Sequence, residues 1–214
     1  MLEYRFDFGG INMSKPFFKP WKTQHFNGTL ILCESCPKGC ETTGKTGWKD
    51  HPDSEWPYNF IVKHVEVKSE QDDDTFRILR LSFLYDGKKL EAPEFWQRHA
   101  FTNLVPRLMN RNPDKTFEKP NSEDKRLVRE QFPLIVEYVK PQRILIASNW
   151  GVEILKELYD DKKYHYPFKS RDIWEMRYKS IPIVGIYHPK YWGFSPDHAI
   201  KATERLWNIS QKSK

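Results

Sequence analysis

The chain has 214 residues, of which 38% are hydrophobic and 15% aromatic, enough for one domain with an aromatic-rich core. Lysine and arginine outnumber aspartate and glutamate by 35 to 29, and the net charge of +6 is compatible with a polyanionic partner such as DNA. The sequence has no apolar run of the ~20 residues that cross a bilayer and no signal-peptide pattern, so we expect no membrane association and a cytoplasmic protein.

The two ends of the chain differ from the part between them. Residues 1–19 contain a second possible start at Met13, and we expect them to be an N-terminal extension or a disordered arm. Residues 20–207 are interpreted as one domain, since no linker or internal repeat divides them. The polar residues 208–214 are expected to be a flexible tail.

Three cysteines, Cys33, Cys36 and Cys40, are close together in the sequence. Their odd number and the expected cytoplasmic location argue against a disulfide framework. A closed zinc site needs four ligands, and there is no fourth cysteine. We therefore predict no metal and no cofactor, with Cys33 in a buried strand and the other two thiols in a loop.

Four short apolar runs predict buried strands. Each run is continuous rather than alternating, which is typical of parallel strands covered by helices on both faces. The runs are TLILC (29–33), AFTNLV (100–105), RILIAS (143–148) and IPIVGIYH (181–188).

Helical patterns separate the later strands. Residues 123–139 place apolar side chains on one face of a helix that Pro133 could kink or restart, and residues 151–159 predict a second helix. Ser195 followed by Pro196 predicts the start of a third. Residues 49–99 are less clear, and TFRILRLSFLYDGKKL fits either a helix or a hairpin arm. The predicted fold class is α/β, a single domain with a four-stranded parallel sheet flanked by helices.

Ligands of open parallel sheets bind beyond the carboxyl ends of the strands. Polar and aromatic side chains follow all four predicted strands. These residues are Glu34, Ser35, Cys36 and Pro37 after the first strand, Asn103 in the second, Ser148, Asn149 and Trp150 after the third, and His188, Pro189, Lys190, Tyr191 and Trp192 after the fourth.

Three motifs in this set resemble those of the uracil-DNA glycosylase superfamily. They are CESCPKG after the first strand, FTN on the second and His188-Pro189 after the last. The resemblance covers about residues 20–207 and implies a four-stranded parallel sheet between helices. It also implies a hydrolase that cleaves the N-glycosidic bond of a flipped base in DNA and leaves an abasic site.

The resemblance implies roles for three candidate catalytic residues. The Glu34 carboxylate would stabilise the sugar cation and orient a water, the Asn103 amide would read the base, and His188 would stabilise the departing base. Each also has a structural alternative: Glu34 as a cap of loop amides, Asn103 as an interstrand hydrogen-bonding partner and His188 as a turn-fixing residue.

Further residues would contact the base or the DNA. Trp48 stands where the family has a base-stacking aromatic, and it could equally lie in the core. Tyr191 and Trp192 could wedge into a duplex while Lys190 contacts a phosphate, or could instead pack beneath the last helix. The rest of the predicted DNA-binding set is Ser35, Cys36, Pro37, Asn149 and Pro189.

The first motif departs from that of uracil-specific members. Ser35 stands where an aspartate is usual, Cys36 and Pro37 provide no bulky gate against thymine, and Lys190 replaces a small hydroxyl residue. We therefore expect a glycosylase that removes uracil or a modified pyrimidine, in DNA repair or in defence against phage. We also expect a monomer whose partner is single- or double-stranded DNA.

Two other functions remain open at this point. The sequence GCETTGKT (39–46) matches the phosphate-binding pattern of P-loop nucleotide hydrolases, although the prolines and glycine that follow do not favour the required helix. A non-catalytic protein that binds DNA or a modified base on the same fold is the other alternative.

Overall fold

A computed structural model describes eight stretches of the chain. They are residues 20–34, 36–37, 74–85, 87–105, 108–110, 118–159, 173–189 and 194–211. The predicted N-terminal extension lies outside the described residues, as do the GCETTGKT segment and residues 49–73.

Seven strands and five helices are described, here numbered in chain order. The strands are β1 (Thr29–Cys33), β2 (Cys36–Pro37), β3 (His99–Asn103), β4 (Leu108–Met109), β5 (Arg143–Ala147), β6 (Ile173–Tyr178) and β7 (Ile181–Ile186). The helices are α1 (Asp74–Leu81), α2 (Ala92–Arg98), α3 (Ser122–Val139), α4 (Asn149–Tyr159) and α5 (Pro196–Gln211).

The main sheet has five strands in the order β3-β1-β5-β7-β6. All four predicted strands are present and mutually parallel, so the α/β class is confirmed. The sheet has five strands rather than four and is mixed rather than all-parallel, because β6 pairs antiparallel with β7 at one edge. The two strands are joined by Lys179 and Ser180, and Lys179 has the positive φ of 53° that tight hairpins need.

The core consists of two apolar layers, one on each face of the sheet. Side chains alternate along a strand, so Ile31 faces the layer formed with α1, α2 and α5, while Leu30 and Leu32 face the layer formed with α3 and α4. All five residues of β1 are buried. Burying each large apolar side chain stabilises the fold by roughly 1.5–3 kcal/mol, which explains why β1 and β5 occupy central positions.

Helix α3 continues without interruption through Pro133, so the predicted restart is wrong. Asn121 begins the helix through a capping box, in which Asn121 Oδ1 accepts the Asp124 N–H at 3.0 Å and Asp124 Oδ2 accepts the Asn121 N–H at 2.7 Å. Pro133 leaves the Arg129 carbonyl without its usual donor four residues on. The Tyr159 hydroxyl at the end of α4 donates to that carbonyl at 3.1 Å and replaces the missing bond.

Several predicted boundaries change. The ambiguous TFRILRL segment is helix α1, and α2, which begins with Ala92-Pro93, is an additional helix. Helix α5 continues to Gln211, so residues 208–211 of the expected tail are helical, because Ile209 and Ser210 pack against the molecule. None of the helices in the described part of the chain has the length and apolar character that a membrane crossing requires.

Candidate functional site

The register of the parallel strands brings the predicted catalytic residues to one edge of the sheet. Cys33 of β1 lies opposite Asn103 of β3 on one side and Ala147 of β5 on the other, and Ala147 lies opposite Ile186 of β7. Neighbouring strands are about 4.8 Å apart, so the four strand ends span roughly 15 Å. Glu34 follows β1 directly, near the middle of this edge, and His188 follows β7 two residues after its end.

Among the described residues at this edge, Glu34 has the most strongly shifted pKa. Its side chain is half-buried, and desolvation raises its pKa from 4.5 to about 7. A hydrogen bond from Ser148 lowers the pKa, and the charge of Glu153 raises it, but burial is the largest cause. Near neutral pH the carboxyl group is therefore present in both protonation states, as suits a general acid or base.

Ser148 fixes the Glu34 carboxylate in place. Its hydroxyl group donates to Glu34 Oε2 at 2.6 Å and accepts the Gly151 N–H at 2.9 Å. Ser148 is fully buried and caps the start of α4, so the carboxylate is tied to a helix terminus. This residue was not among the predicted catalytic or DNA-binding residues. A serine that ends an apolar strand and precedes a helix was the available signal.

Asn103 is buried, with 4% of its surface exposed, in the last position of β3. The two residues after it turn toward β1, where the Leu104 N–H donates to the Cys33 carbonyl and the Val105 N–H donates to the Glu34 carbonyl, both at 2.8 Å. The loop after β3 is thereby held against the loop that carries Glu34. This places the Asn103 amide one strand away from the carboxylate.

The remaining described candidates lie on the other side of Glu34. Asn149 is the first residue of α4 and is half-buried. His188 is half-buried and Pro189 is buried. The structure thus brings Glu34, Asn103, Asn149, His188 and Pro189 to a single edge of the sheet.

The side chains of the other predicted residues lie outside the described part of the chain. Ser35, Trp48, Lys190, Tyr191 and Trp192 lie outside the described residues. For Cys36 and Pro37 only the backbone is described, and it forms β2, which pairs in parallel with β4. The expectation that Cys36 lies in a loop is corrected accordingly, since Cys36–Pro37 pairs with Leu108–Met109.

The cysteine prediction is confirmed for one residue, because Cys33 is buried in β1 with 5% of its surface exposed. Within the described ranges, no cluster of three histidine, cysteine, aspartate or glutamate side chains could hold a metal ion.

The opposite edge of the sheet carries a second polar network. Buried Arg143 donates to Thr29 Oγ1 and the Asn27 carbonyl, both at 2.8 Å, and to Ser210 Oγ at 2.7 Å. Its guanidinium stacks 3.7 Å from the centre of the Trp207 ring. These contacts join β1, β5 and the end of α5, so the network is structural.

No protein-family model matches the sequence, and no curated protein matches it. A function therefore has to be inferred from the chemistry of the residues at the Glu34 edge.

Proposed function

We propose that the protein is a DNA glycosylase that hydrolyses the N-glycosidic bond of a flipped uracil or modified pyrimidine and leaves an abasic site. The observation that carries the proposal is Glu34, a half-buried carboxyl group with a pKa of about 7 at the carboxyl end of a central parallel strand. Desolvation of a carboxyl group costs free energy, and such a cost is typical of catalytic residues.

The proposed reaction breaks the bond between C1′ of the sugar and the base nitrogen. The bonding electron pair leaves with the base, and positive charge develops on the sugar. The Glu34 carboxylate stabilises that charge and accepts a proton from the water whose oxygen bonds to C1′. The base anion finally takes up a proton, which completes a hydrolysis that needs no cofactor.

Asn103 and His188 act on the base in this proposal. The Asn103 amide has both a donor and an acceptor, so it can pair with the edge of a flipped base. A neutral His188 donates to the base carbonyl oxygen, on which negative charge develops. Burial of Asn103 and the position of both residues at the Glu34 edge support these roles.

The fold and the charge support the same proposal. The four parallel strands and their flanking helices are compatible with the sheet that the family resemblance implies, with β6 as an additional edge strand. The net charge of +6 favours association with DNA phosphates. Lys190, Tyr191 and Trp192 follow His188 closely in sequence and would contact the DNA beside the flipped base.

The base specificity is proposed from the first motif. Ser35, Cys36 and Pro37 lack the aspartate and the bulky gate of uracil-specific members. The substrate is therefore proposed to include pyrimidines with a substituent that a tight uracil pocket would reject. Excision of uracil alone from a panel of modified bases would contradict this part of the proposal.

The decisive experiment is a glycosylase assay on labelled single- and double-stranded oligonucleotides. The panel carries uracil, hypoxanthine, hydroxymethylcytosine and glucosylated hydroxymethylcytosine, each at one position. We expect alkali-labile abasic sites with at least one base, and their loss with Glu34→Ala and with His188→Ala. Glu137→Ala, which removes an exposed carboxylate of α3, is the matched control and should remain active.

The negative outcomes are also informative. Intact DNA binding with no excision of any base would favour a non-catalytic reader of DNA. Magnesium-dependent hydrolysis of ATP or GTP that requires the GCETTGKT segment would favour the P-loop alternative.

A further inference from the structure

The Ser148 hydroxyl group links the candidate catalytic carboxylate to a helix terminus. Ser148 follows the carboxyl end of β5, 114 residues after Glu34 in sequence, and only the parallel register of β1 and β5 brings the two side chains together. The hydroxyl group is fully buried and forms two hydrogen bonds, one with Gly151 and one with Glu34.

The direction of these two bonds follows from the groups involved. The Gly151 backbone N–H can only donate, so Ser148 Oγ accepts it. A serine hydroxyl has a single hydrogen, and at 2.6 Å from Glu34 Oε2 that hydrogen points at the carboxylate. Ser148 therefore favours the charged form of Glu34, against the desolvation that opposes it.

The two carboxylate oxygens differ in their surroundings. Oε2 is held by Ser148, whereas Oε1 has no hydrogen bond to any residue in the described part of the chain. One oxygen is thus oriented by Ser148, and the other is not held by any of the described residues. This asymmetry is suited to a carboxylate that must direct one lone pair at a reacting centre.

We propose that Ser148 is a positioning residue, which fixes one oxygen of the Glu34 carboxylate to the first turn of α4 and leaves the other oxygen for the attacking water. The inference rests on the proposed glycosylase function and adds to it a residue that never touches the substrate. Because Ser148 stabilises the carboxylate form, its loss should impair the reaction most at pH values where Glu34 is partly protonated.

The first test needs no catalytic activity. The side-chain carboxyl carbon of Glu34, assigned by its absence from Glu34→Gln, is titrated by ¹³C NMR in the wild-type protein and in Ser148→Ala. We expect the midpoint, about 7 in the wild type, to rise by about one pH unit, since a hydrogen bond to a charged group is worth roughly 1.5 kcal/mol. Ser148→Thr keeps the hydroxyl group and should restore the wild-type midpoint.

The second test uses the oligonucleotide that the wild-type protein cleaves. Ser148→Ala should lower the single-turnover excision rate at pH 7 by about fivefold, regain most of the rate by pH 9 and leave the affinity for the oligonucleotide unchanged. Asn121→Ala is the matched control, because it removes the N-cap of α3, a helix that does not carry the site. It should lose comparable stability with no change in the pH profile.

The outcomes separate the two proposals. A rate loss that is equal at all pH values, or a Glu34 titration that Ser148→Ala leaves unchanged, would overturn the positioning role. A raised Glu34 midpoint in a protein whose wild type excises no base would refute the glycosylase while supporting the hold of Ser148 on Glu34.

Discussion

The Glu34 carboxylate is unfavourable for folding, and it is the group that the proposed reaction would use to stabilise the sugar cation. Its pKa is about 7 in the folded protein, against 4.5 for a glutamate that is exposed to water, so ionisation costs the folded protein free energy. Above pH 7 the folded state holds a desolvated charge that the unfolded chain exposes to water. The hydrogen bond from Ser148 offsets only part of this cost.

Glu34→Gln should therefore stabilise the protein at alkaline pH and abolish the proposed glycosylase activity. Glutamine keeps the shape of the side chain and can still accept the Ser148 hydrogen bond, but it carries no charge. We expect the free energy of unfolding at pH 8 to increase by about 1–3 kcal/mol, and to be close to the wild-type value at pH 4. Urea denaturation at the two pH values measures this.

The control for this substitution is Glu137→Gln, which removes an exposed carboxylate from α3. Its effect on unfolding should be small and similar at both pH values. Destabilisation by Glu34→Gln at pH 8 would show that the carboxylate is stabilised by partners in the fold, and Glu34 would then have a structural role that explains its presence.

Helices α3 and α4 are joined by a side-chain hydrogen bond that replaces one missing within α3. Pro133 has no N–H, and the Arg129 carbonyl that would accept it receives the Tyr159 hydroxyl instead. Tyr159 also packs against Phe132 and Tyr178, with ring centres 5.5 and 5.0 Å away. The carbonyl group that Pro133 leaves without a donor inside α3 thus bonds to α4 instead.

A double-mutant cycle tests this hydrogen bond. Tyr159→Phe keeps the ring and removes the hydroxyl, so it should cost about 1 kcal/mol in the wild type. In the Pro133→Ala background an alanine N–H can donate to the Arg129 carbonyl, and the same substitution should cost much less. Equal costs in the two backgrounds, measured by urea denaturation, would mean that Tyr159 contributes only through its ring.

A second contact between elements depends on the absence of a side chain. A Cβ at Gly185 of β7 would lie 2.2 Å from Val152 Cγ2 of α4, closer than two carbon atoms can approach. Gly185→Ala should therefore destabilise the protein by about 1–3 kcal/mol. Adding Val152→Ala should recover part of the loss, and thermal unfolding of the single and double variants checks this.

If Val152→Ala recovers none of the lost stability, the strain does not lie in the contact between residue 185 and Val152. The next atom near the added Cβ is Trp174 Cε3 at 3.4 Å, which is ordinary contact, so a persistent loss would point to the backbone of β7.

Sequence patterns predicted the features that depend on local burial and missed those that depend on distant residues. The four parallel strands were predictable because a continuous apolar run reports burial on both faces, and TLILC matches β1 residue for residue. Strand β6 was missed because its hairpin turn is Lys179-Ser180, which lacks the usual Gly or Asn. The role of Ser148 was missed because it depends on the register of strands more than 100 residues apart.

At the scale of the whole molecule, the sheet separates two desolvated titratable groups whose pKa values are shifted in opposite directions, each in favour of the neutral form: at neutral pH His99 is held neutral, and Glu34 is held partly protonated. His99, at the amino end of β3, is completely buried, and desolvation lowers its pKa from 6.5 to about 3. Its Nδ1–H donates to the Phe95 carbonyl at 2.7 Å, and Nε2 accepts the Tyr85 hydroxyl. The neutral ring is therefore built into the fold, whereas Glu34 at the other edge favours its protonated form.

These two groups should oppose each other in the pH dependence of stability. Between pH 3 and 6.5 the unfolded chain binds a proton at His99 that the folded protein does not, so His99 makes stability rise with pH. Between pH 4.5 and 7 the folded protein binds a proton at Glu34 that the unfolded chain does not, so Glu34 makes stability fall with pH. From pH 4.5 to 6.5 the two contributions cancel.

Single variants should reveal the two slopes separately. Relative to the wild type, Glu34→Gln should gain about 1 kcal/mol of stability per pH unit between 4.5 and 6.5, and His99→Asn should lose about the same per unit, whatever its overall cost in lost hydrogen bonds. Urea denaturation at half-unit pH intervals measures both differences, in which the titration of all other groups cancels. The double variant should run parallel to the wild type across this range, since it lacks both groups.

The stability difference between His99→Asn and the wild type is the stricter of the two tests, because it reports whether the amino-end edge of the sheet is buried. A flat difference between His99→Asn and the wild type would mean that the imidazole titrates normally in the folded protein, and would contradict its burial as a neutral ring. Any loss of stability in acid would then come from other groups. The amino-end edge of the sheet would also be more open to water than the contacts of His99 with Phe95 and Tyr85 imply.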